Sequence, residues 1–263
     1  MTGTVADVQV HLQAIVDPGA ELGAGVNVGP WTLIGPDVKI GPGTVVGPGV
    51  LIERNTTVGA DCEIHKGAVL GTTPQDLKFR GEDSRLVVGD RTVIREYATL
   101  NRGTSASGLT AVGDDCLLMA YTHVAHDCRL GNHVILSNAV NMAGHVELHD
   151  WAIVGGLTPI HQFVRIGMHA FIGGGSRISQ DVSPFCRAAG SPPKLYGLNT
   201  VGLERRGFPA ETRAALKKAY RILFQSDLNV SQGLEQAREE VEPLPEVVLL
   251  LDFIRDSERG ITI

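Results

Sequence analysis

The chain has 263 residues, of which 43 % are hydrophobic and 20 % charged, with 32 glycines and 13 prolines. That apolar fraction supports a packed core and excludes a disordered or collagen-like chain, while a net charge of −6 argues against a nucleic-acid binder. No apolar run approaches the ~18 residues of a membrane span, no signal peptide opens the chain, and four cysteines without a CxxC pair suit a reducing, cytoplasmic compartment.

From the N-terminus onward the chain repeats every six residues. Val16, Leu22, Val28, Ile34, Ile40, Val46, Ile52, Val58, Ile64 and Leu70 are all aliphatic. The period resumes at Val88, Ile94 and Leu100, then runs from Val112 through Val124, Leu136, Leu148 and Ile160 to Ile178. A six-residue period fits neither an α-helix nor an isolated strand. It fits a hexapeptide β-helix, in which three hexads close a triangular coil of eighteen residues and equivalent residues stack at about 4.8 Å. The aliphatics point inward, and glycines such as Gly23, Gly29, Gly35, Gly41 and Gly47 are expected to serve corners of unusual φ. Small side chains fill the remaining interior, Cys62, Cys116 and Cys128 among them, as buried core residues rather than nucleophiles. Two breaks, about 72–87 and 103–111, read as loops leaving the corners.

Composition shifts near Ser191-Pro192-Pro193: residues 1–193 hold 27 of the 32 glycines. The expected domains are therefore a β-helix over 1–193 and an α-helical domain over 194–263. Leu216, Ala219, Tyr220, Leu223 and Phe224 share one helical face, as do Val247, Leu250, Leu251 and Ile254. Between them Ser231 reads as an N-cap and Pro243 as a stop.

The eighteen-residue coil also sorts the chemistry. His126, Gly144 and Gln162 form one column, and Asp127, His145 and Phe163 the next. One corner thus offers a base, an orienting acid and a backbone N–H for an oxyanion. Gly155 and Gly156 lie one coil from Gly173 and Gly174, as simple corner geometry or as a smooth groove for an alkyl chain. Arg165, Arg177, Arg187, Arg205 and Arg206 concentrate positive charge near the end of the solenoid, as a solvated face or a patch for phosphates or an acidic protein.

Several strings resemble one family: His123-Val-Ala-His126-Asp127, Ala143-Gly144-His145-Val146, Val154-Gly155-Gly156-Leu157, Ile160-His161-Gln162-Phe163, Pro74-Gln75-Asp76-Leu77-Lys78-Phe79, Arg102-Gly103-Thr104 and Arg205-Arg206-Gly207-Phe208. The chain is similar along essentially its whole length to the UDP-N-acetylglucosamine O-acyltransferases, which begin lipid A synthesis. The resemblance implies a homotrimer of left-handed parallel β-helices with active sites in clefts between subunits. It implies transfer of an (R)-3-hydroxyacyl group from acyl carrier protein to the 3-hydroxyl of UDP-N-acetylglucosamine. His126 would be the general base, Asp127 its orienting acid and the Gly144 N–H the oxyanion donor. Asp76 and Lys78 would belong to the sugar-nucleotide loop, and His123, His145, His161, Gln162, Asn199 and Arg205 would contact substrate. Gly156 and Gly174 would line the acyl groove, Gly174 near its end. No metal or organic cofactor is implied, the acyl donor riding on the phosphopantetheine of the carrier protein, and neither nucleic acid nor stable membrane insertion is expected.

Asn101 and Val201 depart from residues familiar in the family, histidine and glutamate, and leave open a 3-amino sugar acceptor and N-acyl transfer. Two further readings share the fold: a γ-type carbonic anhydrase with three histidines on zinc, and a non-catalytic scaffold for which the acid–base column would serve no purpose.

Overall fold

The computed structural model describes residues 7–263, so the first six residues of the expected 1–193 solenoid lie outside it. The chain winds into a left-handed parallel β-helix with three sheets, one of eleven strands and two of eight. Most strands are two residues long, the first facing out and the second in, as in Asn27–Val28, Leu33–Ile34 and Lys39–Ile40. Asn27 pairs with Val45 and Leu33 with Leu51, eighteen residues apart. The aliphatic column from Val28 to Ile178 is buried, whereas Val16 and Leu22, in the first coils, are only half covered, since among the described residues no strand stacks beyond theirs.

The two breaks alter the spacing without altering the phase. Glu63 pairs with Val93 thirty residues on, and Val93 with Leu117 twenty-four on, before eighteen returns at Leu117 and Ile135. Both insertions are multiples of six, so every later aliphatic still faces inward. The excursions are shorter than the sequence suggests at their far ends: Arg85–Val88 and Leu109–Val112 are already strands of the next coil.

The corners differ from expectation. Gly23, Gly29, Gly35, Gly41 and Gly47 do not adopt positive φ. They sit where coils approach closely: a Cβ on Gly41 would lie 2.5 Å from the Gly59 carbonyl carbon. The left-handed conformation falls two residues later and is borne mostly by non-glycine residues, including Trp31, Asp37, Asp127, His145 and Phe163. Polar interior positions are partly bridged. The Thr44 hydroxyl donates to the Gly59 carbonyl at 2.8 Å and accepts from the Cys62 N–H at 3.0 Å. Cys62, Cys116 and Cys128 are buried, and burial pushes the latter two thiols up to about 11 and about 12.

Beyond the last full coil, Cys186–Ala189 joins the large sheet and turns back antiparallel into Lys194–Leu198. The segment after 193 therefore begins as a strand. Four helices follow: α1 (Thr200–Arg205), α2 (Ala210–Phe224), α3 (Val230–Glu240) and α4 (Pro245–Arg255). Leu216, Ala219, Leu223, Val247, Leu250 and Leu251 pack with Phe185 into a second core that caps the prism. α3 is capped by Asn229, not Ser231; Asn229 and Gln232 form a reciprocal capping box. Arg165 fastens α4 to the solenoid. It bonds Asp181 at 3.2 Å and the Asp256 carbonyl at 2.9 Å and stacks on Phe253 at 4.6 Å. Arg206 lies 4.8 Å over the Trp151 ring. These two arginines of the expected patch are thus engaged within the chain.

Candidate active site

His123–Val124 belongs to one eight-stranded sheet and Arg129–Leu130 to the other, so His126 and Asp127 occupy the corner between them. The next coil brings Gly144 and His145 against them, with the His145 N–H on the His126 carbonyl at 3.1 Å. One coil further, the Phe163 N–H donates to the Gly144 carbonyl and its ring stacks on His145 at 4.5 Å. The sequence columns are therefore real neighbours.

The Asp127 side chain is wholly buried. It accepts from His126 Nδ1 at 2.8 Å, from the Thr104 N–H at 3.1 Å, from the Thr104 hydroxyl at 2.7 Å and from the Ser107 hydroxyl. Burial alone raises a carboxyl pKa. The hydrogen bonds from Ser107, His126 and Thr104 outweigh it and hold Asp127 down at about 2. An ionised carboxylate only accepts, so the 2.8 Å contact places the proton on His126 Nδ1 and leaves the Nε2 lone pair free. His145 Nε2 stands 3.8 Å from the same carboxylate, too far for a hydrogen bond.

Gly144 passes across the face of His126, where a Cβ would lie 2.5 Å from Cε1 and 2.7 Å from Nε2. No side chain fits there. Its N–H has no acceptor among the described residues, which leaves a donor beside the free imidazole nitrogen. His123 is fixed by the Thr99 hydroxyl at 2.7 Å, and burial, then the charge of His126, lower its pKa. Burial also lowers His145, partly opposed by Asp127. A base, its orienting acid and an unpaired N–H together can take a proton from a hydroxyl and hold a tetrahedral oxyanion.

The remaining expected residues are spread out. The excursion 73–84 places Asp76 close enough for its charge to act on His145, and the Lys78 N–H closes a turn on the Asp76 carboxylate at 2.9 Å. Its base is pinned by Asn101, which donates to the Thr72 hydroxyl at 2.8 Å, and by Arg102 against the Phe79 ring at 5.6 Å. His161 and Gln162 are exposed one coil beyond His145. Asn199 and Arg205 are elsewhere. With Phe171, Arg187 and Val201 they line a separate hollow of about 430 Å³ beside the large sheet. The Asn199 side chain caps α1 through the Gly202 N–H at 3.2 Å and donates to the His169 carbonyl at 3.0 Å, so much of its capacity is already used. Gly156 and Gly174 stack at the corner between the large sheet and the sheet of His123, with a Gly174 Cβ 3.2 Å from the Gly156 carbonyl oxygen.

Sequence reasoning missed Thr104 and Ser107, because twenty and more residues and a break in the repeat separate them from Asp127. The signals were the break itself, one hexad long, and the Arg102-Gly103-Thr104 string at its start, neither of which points to Asp127. His126, Asp127 and His145 offer ligand atoms within 4.8 Å of one another, but a cation there would have to displace the donors that already fill the carboxylate.

Residues 181–262 match the family described as UDP-N-acetylglucosamine O-acyltransferase, domain 2, and residues 19–54 and 37–72 match the bacterial transferase hexapeptide repeat. An acyl-[acyl-carrier-protein]–UDP-N-acetylglucosamine O-acyltransferase of Paracidovorax citrulli is 55 % identical over 96 % of this chain and 98 % of its own. That of Chlorobaculum tepidum is 60 % identical over 93 % of each. Among solved structures, the UDP-N-acetylglucosamine acyltransferase of Bacteroides fragilis superposes with a TM-score of 0.94 at 39 % identity, over 97 % of this chain and 100 % of that one. Identity at this level over nearly the full length, with the same fold throughout, makes this chain a member of the UDP-N-acetylglucosamine O-acyltransferase family.

Proposed function

We propose that this chain transfers a 3-hydroxyacyl group from acyl carrier protein to the 3-hydroxyl of UDP-N-acetylglucosamine, the first step of lipid A synthesis. The observation that carries the reading is the His126–Asp127 pair packed against Gly144, whose N–H has no acceptor among the described residues. His126 Nε2 takes the proton of the sugar hydroxyl as that oxygen attacks the thioester carbon. The Gly144 N–H receives the charge that develops on the carbonyl oxygen, and Asp127 steadies the imidazolium. Collapse expels the pantetheine sulfur, which takes the proton back from Nε2, so a C–O ester replaces the C–S thioester and the base is regenerated. The acid–base work rests on side chains and the acyl donor on the carrier's phosphopantetheine, with no metal assigned a role.

Asp76, Lys78, His123, His145, His161 and Gln162 lie around or beyond this corner, whereas Asn199 and Arg205 line a hollow beside a different sheet. A cleft between two copies brings such faces together, which supports a homotrimer with sites between subunits. No helix among the described residues is long and apolar enough to cross a membrane, and the cysteines are free, in keeping with cytoplasmic action on diffusing substrates. The names of the relatives favour O-acylation over transfer to an amine. The test is an acyl-transfer assay with a series of 3-hydroxyacyl carrier protein donors against UDP-N-acetylglucosamine and its 3-amino analogue. Ester formation from the first supports the reading. Transfer to the amine alone moves the chain to N-acylation, and transfer to neither overturns it.

A further inference from the structure

The excursion 102–108, one hexad inserted ahead of the catalytic corner, reaches the His126 dyad through Asp127. Each Asp127 oxygen has two donors. Oδ1 takes the Thr104 N–H and the Ser107 hydroxyl; Oδ2 takes the Thr104 hydroxyl and His126 Nδ1. Both hydroxyls have their own direction set by the loop. Thr104 Oγ1 accepts from the Ala106 N–H at 3.2 Å and Ser107 Oγ from the Leu109 N–H at 3.3 Å, so their protons are left for the carboxylate. The Leu109 carbonyl, 3.0 Å from Ser107 Oγ, is the weaker competitor because it is neutral. The loop is itself tightly drawn. The Gly108 N–H closes on the Thr104 carbonyl at 2.7 Å, and a Cβ on Gly103 would lie 2.3 Å from the Leu109 nitrogen.

This arrangement decides between two histidines. His126 Nδ1 is 2.8 Å and His145 Nε2 3.8 Å from the same Oδ2, and a modest rotation of an unrestrained carboxylate would exchange them. We infer that Thr104 and Ser107 are positioning residues: they clamp the Asp127 carboxylate in the orientation that engages His126 Nδ1 rather than His145, and so keep the His126 Nε2 lone pair pointed at the acceptor hydroxyl. Their hydrogen bonds act on His126 through Asp127. The inference rests on the functional reading above for its kinetic consequence but not for its spectroscopic one.

The experiment compares the parent, Thr104→Val, Ser107→Ala and the double variant with the conservative Thr104→Ser. The clamp predicts that kcat for acyl transfer falls roughly 10- to 100-fold in the double variant, the usual cost of removing an outer partner that orients a working side chain, with KM for the sugar nucleotide little changed. Thr104→Ser, which keeps the hydroxyl, restores most of it. In parallel, ¹⁵N spectra of histidine-labelled protein should show His126 protonated on Nδ1 in the parent and a tautomer mixture in the double variant. This readout needs no turnover, and a merely structural loop would not move it. A double variant with parental kcat and an unchanged Nδ1–H tautomer overturns the clamp. If His126→Ala remains active while the tautomer still shifts in the double variant, the base assignment fails and the clamp stands.

Discussion

At the scale of single residues, Asp127 is where burial and hydrogen bonding oppose each other most directly. Its pKa is held at about 2 against an ordinary 3.8, so its ionised form is favoured by the fold. A depressed carboxylate contributes stability that is complete above its unfolded pKa and lost as pH falls through the folded value. The difference corresponds to about 2 kcal/mol. Asp127→Asn should therefore unfold more easily at neutral pH by about that amount, and its stability should change less between pH 4 and pH 2 than the parent's. Denaturant titrations at the two pH values check this, and equal pH slopes for both proteins would contradict it. The residues of this corner were legible in the sequence, since the eighteen-residue coil alone aligns His126 with Gly144 and Asp127 with His145. The donors to Asp127 were not, because Thr104 and Ser107 reach it from an inserted loop that periodicity does not describe.

At the scale of the hexad, the element is a two-residue strand and a corner; glycines just after the inward aliphatic, such as Gly41, serve close approach, while those two residues further on, such as Gly43 and Gly49, bear the unusual φ. At Gly41 the three atoms nearest a Cβ would all be backbone of the following coil, so no flexible side chain is there to yield. Gly41→Ala should cost more than about 2 kcal/mol in denaturant unfolding, at the upper end of overpacking effects. A loss below half that would mean that the coils can part there. The expectation that glycines serve corners of unusual φ holds at Gly25, Gly43 and Gly49 but not at Gly23, Gly29 or Gly41, and residues as large as Trp31 and Phe163 share that conformation. Gly174 differs from Gly41, its Cβ position being 3.2 Å from a single carbonyl oxygen and otherwise more open. Gly174→Met should fold and shorten the preferred acyl chain. With about 0.8 kcal/mol per buried methylene, two excluded carbons shift selectivity by roughly tenfold or slightly more. A competition assay between carrier protein donors of different length reads this directly, and an unchanged ranking would place the end of the groove elsewhere.

At the scale of the molecule, the solenoid is among the most legible of folds, because twenty-five aliphatics at one spacing specify coil, face and register together. The C-terminal end was less so. Lys194–Leu198 pairs as a strand because the last coil leaves an open edge, a tertiary reason absent from local pattern. The separation of Asn199 and Arg205 from the His126 corner has a consequence for the assembly. If sites form between copies, His126→Ala and Arg205→Ala damage different sides of one cleft. Unfolding the two variants together and refolding the mixture should then restore part of the activity that neither has alone; a mixture no better than its components would put both residues in sites built by one chain. The central claim is that His126, held by Asp127, removes the proton from the sugar hydroxyl. The most direct test is the rate of ester formation by His126→Ala with UDP-N-acetylglucosamine and a 3-hydroxyacyl carrier protein at saturating concentrations. The account predicts a loss of ~10²–10⁴-fold with the fold intact by circular dichroism, whereas a variant that keeps a tenth of the parental rate would contradict it.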